Sequence, residues 1–256
     1  MLLFLLTGKD PMSVEAKGVQ NKAGIQSLFN TPKFAGLHTA AKEFYLSEDE
    51  KLVIALCNLV RYDANAFINE AIIPSGIDTS SAEFGHMLKM LRNHKSVFPL
   101  MPAFSLYKSS LVHAKDMGFS GFEGHKSSDG KSFTERIQQY FPANTGFAEN
   151  YYMGSGEPLD IVLSFLLGKG GKGDHYRVNI LSPNLHYVGV SIQPHRKSCS
   201  NAVLDFAQKP QMAASSLQKR NDMEVYWKDC PTGTKVNTRR KSGGFSLNSL
   251  FGGRRK

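Results

Sequence analysis

Two histidines and one glutamate stand where the sequence best supports chemistry. His125 and His175 follow the glycine-containing stretches GFSGFEG and GKGGKGD, each next to a regularly patterned segment. Loops held by a rigid scaffold are where functional side chains concentrate. Glu149 interrupts the apolar segment FAENYY, where a buried carboxylate needs a charged or hydrogen-bonding partner. A histidine is a suitable partner for that carboxylate.

These residue types permit two kinds of site. Two imidazoles and a carboxylate can bind a zinc ion and leave one coordination position open. The same groups can form a hydrogen-bonded polar cluster without metal. The separations along the chain, 24 and 26 residues, match no local zinc motif, so both alternatives stay open. Two other histidines, His113 and His186, are interpreted as structural or solvent-facing.

The sequence contains none of the common enzyme signatures. HExxH, GxSxG, the P-loop and a CxxC pair are all missing. The stretch GKGGKGD resembles a phosphate-binding loop only in composition, because it lacks the GxxxxGK[ST] spacing.

The elements that position these residues are predicted from periodicity and caps. Ser47 followed by three acidic residues predicts a helix start, and Pro74 is predicted to end that helix. Further helices are predicted over residues 80–93, from Pro102 to Gly118, and over EPLDIVLSFLLG. The clearest strands are TGFAENYYMGS, LHYVGVSIQ and NAVLDFA. Helices come early and strands late, which favours an α+β fold with an antiparallel sheet covered by helices.

Charge separates a basic C-terminal tail from the rest of the chain. Residues 209–256 hold 11 Lys/Arg against 3 Asp/Glu, whereas the whole chain has a net charge of +9. The body is therefore nearly neutral, which argues against a nucleic-acid partner. We predict a lead-in over 1–46, a domain over 47–208, and a basic tail over 209–256. The tail is interpreted as a solvated, disordered terminus, with contact to an anionic surface as the alternative.

The N-terminus and the cysteines bear on localisation. The stretch MLLFLL is too short for a spanning helix, which needs about 20 residues, and is shorter than a full signal sequence core. It is interpreted as a truncated export signal or a short apolar leader. Cys57 lies in an apolar run and is predicted to be buried. Cys199 and Cys230 could pair in an oxidising compartment, but nothing in the sequence requires it.

Four motifs in a fixed order resemble a known family. They are VIALCNLVRYDANAF, GFSGFEGHKS, TGFAENYYMGS, and DHYRVNILSPNLHYVGVSI with the following NAVLDFA. Over about residues 47–208 they resemble the CAP superfamily of cysteine-rich secretory, antigen 5 and pathogenesis-related proteins, in its bacterial, SCP-like form. The resemblance implies a three-layer α-β-α sandwich with a central antiparallel sheet and a central cleft.

The resemblance also assigns residues to the cleft. In the family, two histidines and two acids bind a divalent metal, often zinc, in some members. His125, Glu149 and His175 match three of these positions, whereas the second acid would fall near Gly168. Either the set is a triad here or another acid, such as Asp174, substitutes. The resemblance further implies cleft-lining and structural residues, namely Asn150, Asp174 and Tyr176 for the cleft, and Asn58 and Arg61 for the structure.

Two functions follow as expectations. The first is an exported, non-catalytic binding module whose cleft accepts a divalent metal, a small apolar ligand or an extracellular partner. The alternative is a zinc-dependent, peptidase-like hydrolase that uses zinc-bound water with Glu149 as the base. Gly168 in place of an acid argues against the hydrolase. The expected location is secreted, periplasmic or in the cell envelope, with a cytoplasmic location left open.

Overall fold

A computed structural model describes residues 22–141, 146–168 and 174–208. The apolar start of the lead-in, the glycine run before Asp174 and the basic tail with Cys230 lie outside the described residues. The predictions that the tail is disordered and that it contacts an anionic surface therefore stay predictions.

Helices come first among the described elements, and two consecutive strands come last. The helices are α1 (Glu48–Tyr62), α2 (Ala64–Ala66, the π-helical Phe67–Ile72, and Ile73–Ser75), α3 (Ala82–Arg92), α4 (Phe104–Ser120), α5 (Phe133–Ile137), α6 (Pro158–Leu167) and α7 (His175–Leu181). The strands are β1 (Met101–Pro102), β2 (Phe147–Gly154), β3 (Tyr187–Pro194) and β4 (Ser200–Ala207). Within the described ranges, none of the helices combines the length and the apolar character needed to cross a bilayer.

The first long helix begins where its cap predicts. The Ser47 side chain accepts from the backbone N–H of Glu50, and the Glu50 carboxylate accepts from the backbone N–H of Ser47. The helix ends earlier than expected, at Tyr62 rather than near Pro74. Asp63 caps a new helical segment by accepting from the backbone N–H of Ala66, so the chain restarts as α2.

One sheet organises the domain. The strand order is β1-β3-β4-β2, and the three long strands pair antiparallel as predicted. The two-residue β1 pairs parallel with β3 and makes the sheet mixed. The register places Glu149 of β2 opposite Asp205 of β4. Because β2 is an edge strand, the side chain of Glu149 lies close to a border of the sheet.

Helices cover both faces of this sheet. Val188, Val190 and Ile192 of β3 join the main core with α1 and α6 on one face. Because side chains alternate across a strand, Glu149 and Asp205 point to the other face, where α4 packs. This arrangement confirms the predicted α+β fold and its α-β-α layers.

Two glycines near the end of α4 have different roles, one in packing against the sheet and one as the helix cap. A Cβ at position 118 would lie 2.1 Å from the backbone oxygen of Pro194, so Gly118 lets the helix approach the strand. The predicted helix end at Gly118 is wrong. The helix instead ends at Gly121, which has a φ of 71° and donates its N–H to Met117.

The lead-in contributes to the core from residue 22 onward. Seven of its apolar side chains are buried, namely Ile25, Phe29, Phe34, Leu37, Ala40, Tyr45 and Leu46. The Asn58 amide of α1 donates to the backbone oxygen of Leu37 at 2.9 Å. The lead-in predicted over 1–46 therefore packs against the domain from residue 22 onward. The apolar residues of this segment follow no regular period, so the pattern gave no sign of packing.

Two buried polar residues of α1 hold neighbouring segments in place. Asn58 also accepts from the backbone N–H of Leu100 at 2.7 Å. Arg61 is fully buried and donates to four backbone oxygens, those of Phe98, Ile180, Ser182 and Leu185. Burial lowers the pKa of Arg61 to about 10. These contacts are the kind that the expected structural role of Asn58 and Arg61 requires.

Candidate functional site

His125 and Glu149 meet at the open edge of the sheet. The loop after α4 brings the His125 ring over β2, and its Nδ1–H donates to Oε1 of Glu149 at 2.8 Å. The His125 side chain is 46% exposed, whereas the Glu149 side chain is 1% exposed. The structure thus places one accessible imidazole in front of a buried carboxylate, which pairs two of the three residues that the sequence singled out.

Tyrosines complete the environment of His125. The Tyr176 hydroxyl of α7 lies 3.0 Å from Nε2 of His125 and donates to it, because Nδ1 carries the ring proton. The ring of Tyr151, on β2, meets the His125 ring edge-on with centroids 4.9 Å apart. Tyr176 was expected to line the cleft, and it contacts His125 directly.

A chain of hydrogen bonds therefore runs from hydroxyl to imidazole to carboxylate. Such chains fix the tautomer and the orientation of the central ring. Burial raises the pKa of Tyr176, so its hydroxyl stays protonated at neutral pH. The chain can hold and orient a bound group, but it offers no ready phenolate nucleophile.

Arg136 holds the other oxygen of Glu149. This arginine lies on α5, is buried, and its Nη2 donates to Oε2 of Glu149 at 2.5 Å. Its Nη1 donates to the backbone oxygen of His125 at 2.6 Å. One guanidinium thus fixes both the carboxylate and the loop that carries the histidine. Two-pronged contacts of this kind are a common use of arginine in buried ion pairs.

A second acid lies beside Glu149. Asp205 is fully buried, and burial together with the neighbouring Glu149 charge raises its pKa well above the usual range. Burial raises the pKa of Glu149 to about 7, while Arg136 opposes that rise. Two adjacent buried carboxyls do not both ionise readily. Because Glu149 contacts Arg136 and His125, we assign the negative charge to Glu149 and the retained proton to Asp205.

His113 approaches the same pair of acids from α4. It is fully buried, and its Nε2–H donates to the backbone oxygen of Gly124 at 2.8 Å. Its Nε2 lies 4.0 Å from Oε1 of Glu149. Burial and then the Arg136 charge lower the pKa of His113 to about 4, so this ring is neutral at physiological pH. We call the set of His113, His125, Arg136, Glu149 and Asp205 the His125 cluster.

His175 is placed apart from the His125 cluster. It lies exposed at the first position of α7, and within the described residues it forms no hydrogen bond or ion pair with His125 or Glu149. Its successor Tyr176 makes the contact that the sequence assigned to the histidine. Because adjacent helical residues point about 100° apart, only one of the two can face the cleft.

The other expected cleft residues have structural contacts. Asn150 faces the main core, donates to the backbone oxygen of Tyr176 at 3.0 Å, and accepts from Asn179 at 2.8 Å. It therefore fixes α7 against β2. Asp174 is exposed and forms an ion pair with Arg177. This contact does not support Asp174 as the substitute acid.

The glycine at the position of the missing acid has a conformational explanation. Gly168 follows α6 with a φ of 68° and donates its N–H to Ser164 as a left-handed helix cap. Few residues other than glycine adopt this conformation without strain. The helix end uses the position at which the family resemblance places a carboxylate.

The described residues do not fit a three-ligand zinc site. No group of three His, Cys, Asp or Glu side chains among them could hold a metal ion. Arg136 donates to one oxygen of Glu149, and the Nδ1–H of His125 donates to the other. Because Nδ1 carries a proton, it offers no lone pair to a metal ion. To bind at Glu149, a cation would have to displace the Arg136 guanidinium and bring in His175, which is exposed on α7.

Comparison with known families now identifies the domain. The model of the CAP family, described as the cysteine-rich secretory protein family, matches residues 86–206. This chain carries a CAP domain. The match extends from α3 to β4 and includes His125, Glu149 and Tyr176, so the family predicted from the four motifs is confirmed.

Solved structures and curated proteins add little to the CAP match. An extracellular protein containing a SCP domain from Bacillus anthracis str. Ames is 16% identical with a TM-score of 0.35, over 49% of this chain and 38% of that chain. An outer surface protein from Borrelia burgdorferi is 16% identical with a TM-score of 0.37, over 52% of this chain and 96% of that chain. The chain thus spans well under half the length of the Bacillus protein. No curated protein matches it.

Three residues of the His125 cluster were not identified from sequence. Arg136 lies in SFTERIQQYF, where an arginine on an amphipathic helix is ordinarily solvent-exposed. Asp205 interrupts the apolar strand NAVLDFA, which is the same signal that singled out Glu149. His113 gave no signal beyond its place on a helix.

Proposed function

We propose that this CAP domain acts by binding rather than by catalysis, through the surface that His125 and Tyr151 form over the buried Tyr176. We call it the His125 surface. The observation that carries the proposal is the pairing of the polar groups behind the exposed imidazole. Glu149 is neutralised by Arg136, and the Tyr176 hydroxyl is held by His125. A fixed imidazole ring beside the partly exposed Tyr151 suits a small, mainly apolar ligand.

A fluorescence titration tests this proposal. The probe is anilinonaphthalene sulfonate, which combines an apolar ring system with an anionic group. We expect His125→Ala to weaken its binding about tenfold, because the variant loses the ring that packs against the apolar body of the probe. His175→Ala is the matched control and leaves binding unchanged. Equal binding by wild type and His125→Ala would contradict the proposal.

Zinc binding stays a prediction, and calorimetry separates it from ligand binding. The sequence predicts that His125, Glu149 and His175 bind the metal, whereas the geometry favours an ion-paired cluster. If zinc titration gives heat that both His125→Ala and His175→Ala abolish, the metal site is established and the metal-free cluster is wrong. Heat that is unchanged in His175→Ala removes His175 from the ligand set.

Hydrolysis is the second candidate because a hydroxyl, an imidazole and a carboxylate are aligned. Two contacts argue against it. Burial raises the pKa of the Tyr176 hydroxyl and keeps it protonated, and Arg136 holds the Glu149 carboxylate that would act as a base. Incubation with a broad peptide library, with and without zinc, tests the hydrolase. Cleavage that is lost in Glu149→Gln would establish it.

Export from the cytoplasm is part of the same proposal. The matching family is described as secretory, and Cys199 is disulfide-bonded, which is usual for proteins of oxidising compartments. Fractionation of cells that express the full chain tests this location. Recovery of the protein only from the cytoplasm would contradict it.

A further inference from the structure

Two exposed phenylalanines lie close together in the chain, at the end of α4 and just after it. Phe119 is 88% exposed at the end of α4, and Phe122 is 44% exposed just after it. Single exposed apolar residues are common on soluble proteins, but two large rings on one short turn call for a partner. We call this region, residues 119–122 together with the β3–β4 hairpin at 194–199, the aromatic tip.

The hairpin holds the backbone of the aromatic tip. The backbone N–H of Arg196 donates to Gly118 at 3.2 Å, and its guanidinium donates to the backbone oxygen of Phe119 at 3.3 Å. The buried ring of His195 donates from Nε2 to the backbone oxygen of Phe122 at 3.5 Å. Both phenylalanines are therefore presented by a backbone that the sheet anchors.

The His195 ring also fixes the hairpin itself. Its Nδ1 accepts from the backbone N–H groups of Lys197 and Ser198, at 3.3 and 3.2 Å. Burial lowers the pKa of His195, which keeps this nitrogen free to accept. The side chains of Arg196 and Lys197 are exposed and therefore project into solvent from a fixed turn beside Gly121.

The charge of the aromatic tip is positive. Its two segments contain two basic residues, Arg196 and Lys197, and no acid, and Glu123 follows the first segment directly. Aromatic rings favour the headgroup level of a bilayer, and basic side chains favour anionic lipid headgroups. A tip that projects both features into solvent fits a lipid surface better than a folded protein partner.

We propose that the aromatic tip docks this domain onto anionic phospholipid membranes, with Phe119 and Phe122 entering the headgroup layer and Arg196 and Lys197 contacting lipid phosphates. Docking by the aromatic tip does not require a ligand at the His125 surface, so either proposal can fail alone.

Vesicle cosedimentation of the full chain tests the proposal. The two probes are vesicles of phosphatidylcholine alone and vesicles that also contain phosphatidylglycerol. We expect binding to the anionic vesicles only, and weaker binding at high salt. Phe119→Ser with Phe122→Ser lowers the partition coefficient roughly tenfold or more, and Arg196→Gln with Lys197→Gln lowers it roughly tenfold.

Matched controls separate the aromatic tip from the rest of the chain. Phe98→Ser removes an 81% exposed ring near the opposite end of β3, and Lys89→Gln with Arg92→Gln removes two bases of α3. Both leave binding unchanged, and a circular dichroism melt confirms that every variant is folded. The proposal is overturned if the wild type binds neither vesicle, or if the tip variants bind as well as the wild type because other parts of the chain carry the binding.

Discussion

Glu149 and Asp205 are neighbours across two strands, yet their surroundings give them different charges. Glu149 contacts a guanidinium and an imidazole, whereas Asp205 is fully buried beside another carboxyl. An ion pair within a core is costly to break from one side, because the remaining charge stays buried. The His125 cluster is therefore held by Glu149, and Asp205 acts as its uncharged neighbour.

Amide substitutions distinguish the two acids. We expect Glu149→Gln to lower the free energy of unfolding by about 3–5 kcal/mol above pH 7, because Arg136 loses its counter-charge. Asp205→Asn should cost less than about 1 kcal/mol, since an amide resembles a protonated carboxyl. Urea denaturation of both variants measures these values. A larger cost for Asp205→Asn would reverse the charge assignment.

His113 makes the stability of the fold depend on pH. Its pKa is lowered to about 4 in the folded protein, so between pH 6.5 and 4 the unfolded chain binds a proton that folded His113 does not. Stability from this residue is therefore lost as the pH falls through that range, by about 3 kcal/mol in total. In His113→Gln, which keeps a donor toward Gly124, urea midpoints should fall less steeply with acid. An unchanged slope would show that other groups cause the loss.

At the scale of elements, the contact between α4 and the β3–β4 pair sets the geometry of the domain. The helix packs closely on the strands because Gly118 has no side chain at the contact with Pro194, and Gly189 of β3 has none at the contact with the backbone of Leu106 and Tyr107. The same helix then presents His113 to the buried acids and Phe119 to solvent. The close packing of α4 on the sheet therefore helps to position both the His125 cluster and the aromatic tip.

Adding one methyl group tests that contact. We expect Gly118→Ala to lower the free energy of unfolding by about 1–3 kcal/mol, because the new Cβ overlaps a backbone oxygen that cannot rotate away. Gly85→Ala in α3 is the matched control. Its Cβ meets nothing within 4 Å, so the substitution should stabilise the helix by about 0.5–1 kcal/mol. Thermal melts that show similar effects for both would argue against close packing.

At the scale of the whole molecule, the cysteines differ in their state. Cys199 is disulfide-bonded and Cys57 is a buried free thiol, and the chain has three cysteines. We predict that Cys199 pairs with Cys230, which lies outside the described residues. Burial raises the pKa of Cys57 to about 12, which makes this thiol unreactive in the folded state.

Thiol counting tests this pairing. The unreduced protein should show no reactive thiol when folded, one per chain in denaturant, and three after reduction. Cys230→Ser should release Cys199 for labelling, whereas Cys57→Ser should remove only the thiol seen in denaturant. A covalent dimer on a non-reducing gel would show instead that Cys199 pairs between chains.

The sequence by itself determined the family, the layers of the fold and part of the site. Ser47 with its acids marked the start of α1, and the alternation in three apolar runs marked the long strands, because these signals are local. Glu149 was found because an acid within an apolar strand demands a partner. Asp205 carries the same signal in NAVLDFA, so that part of the cluster was also open to prediction.

Tertiary structure decided which side chains meet. Tyr176 rather than His175 contacts His125, because the orientation of α7 against β2 selects between adjacent residues. Arg136 reaches Glu149 from a five-residue helix, and Gly168 ends α6 where the family resemblance placed an acid. These contacts join segments far apart in the chain, and their geometry depends on how helices pack on the sheet. Local sequence patterns do not specify that packing.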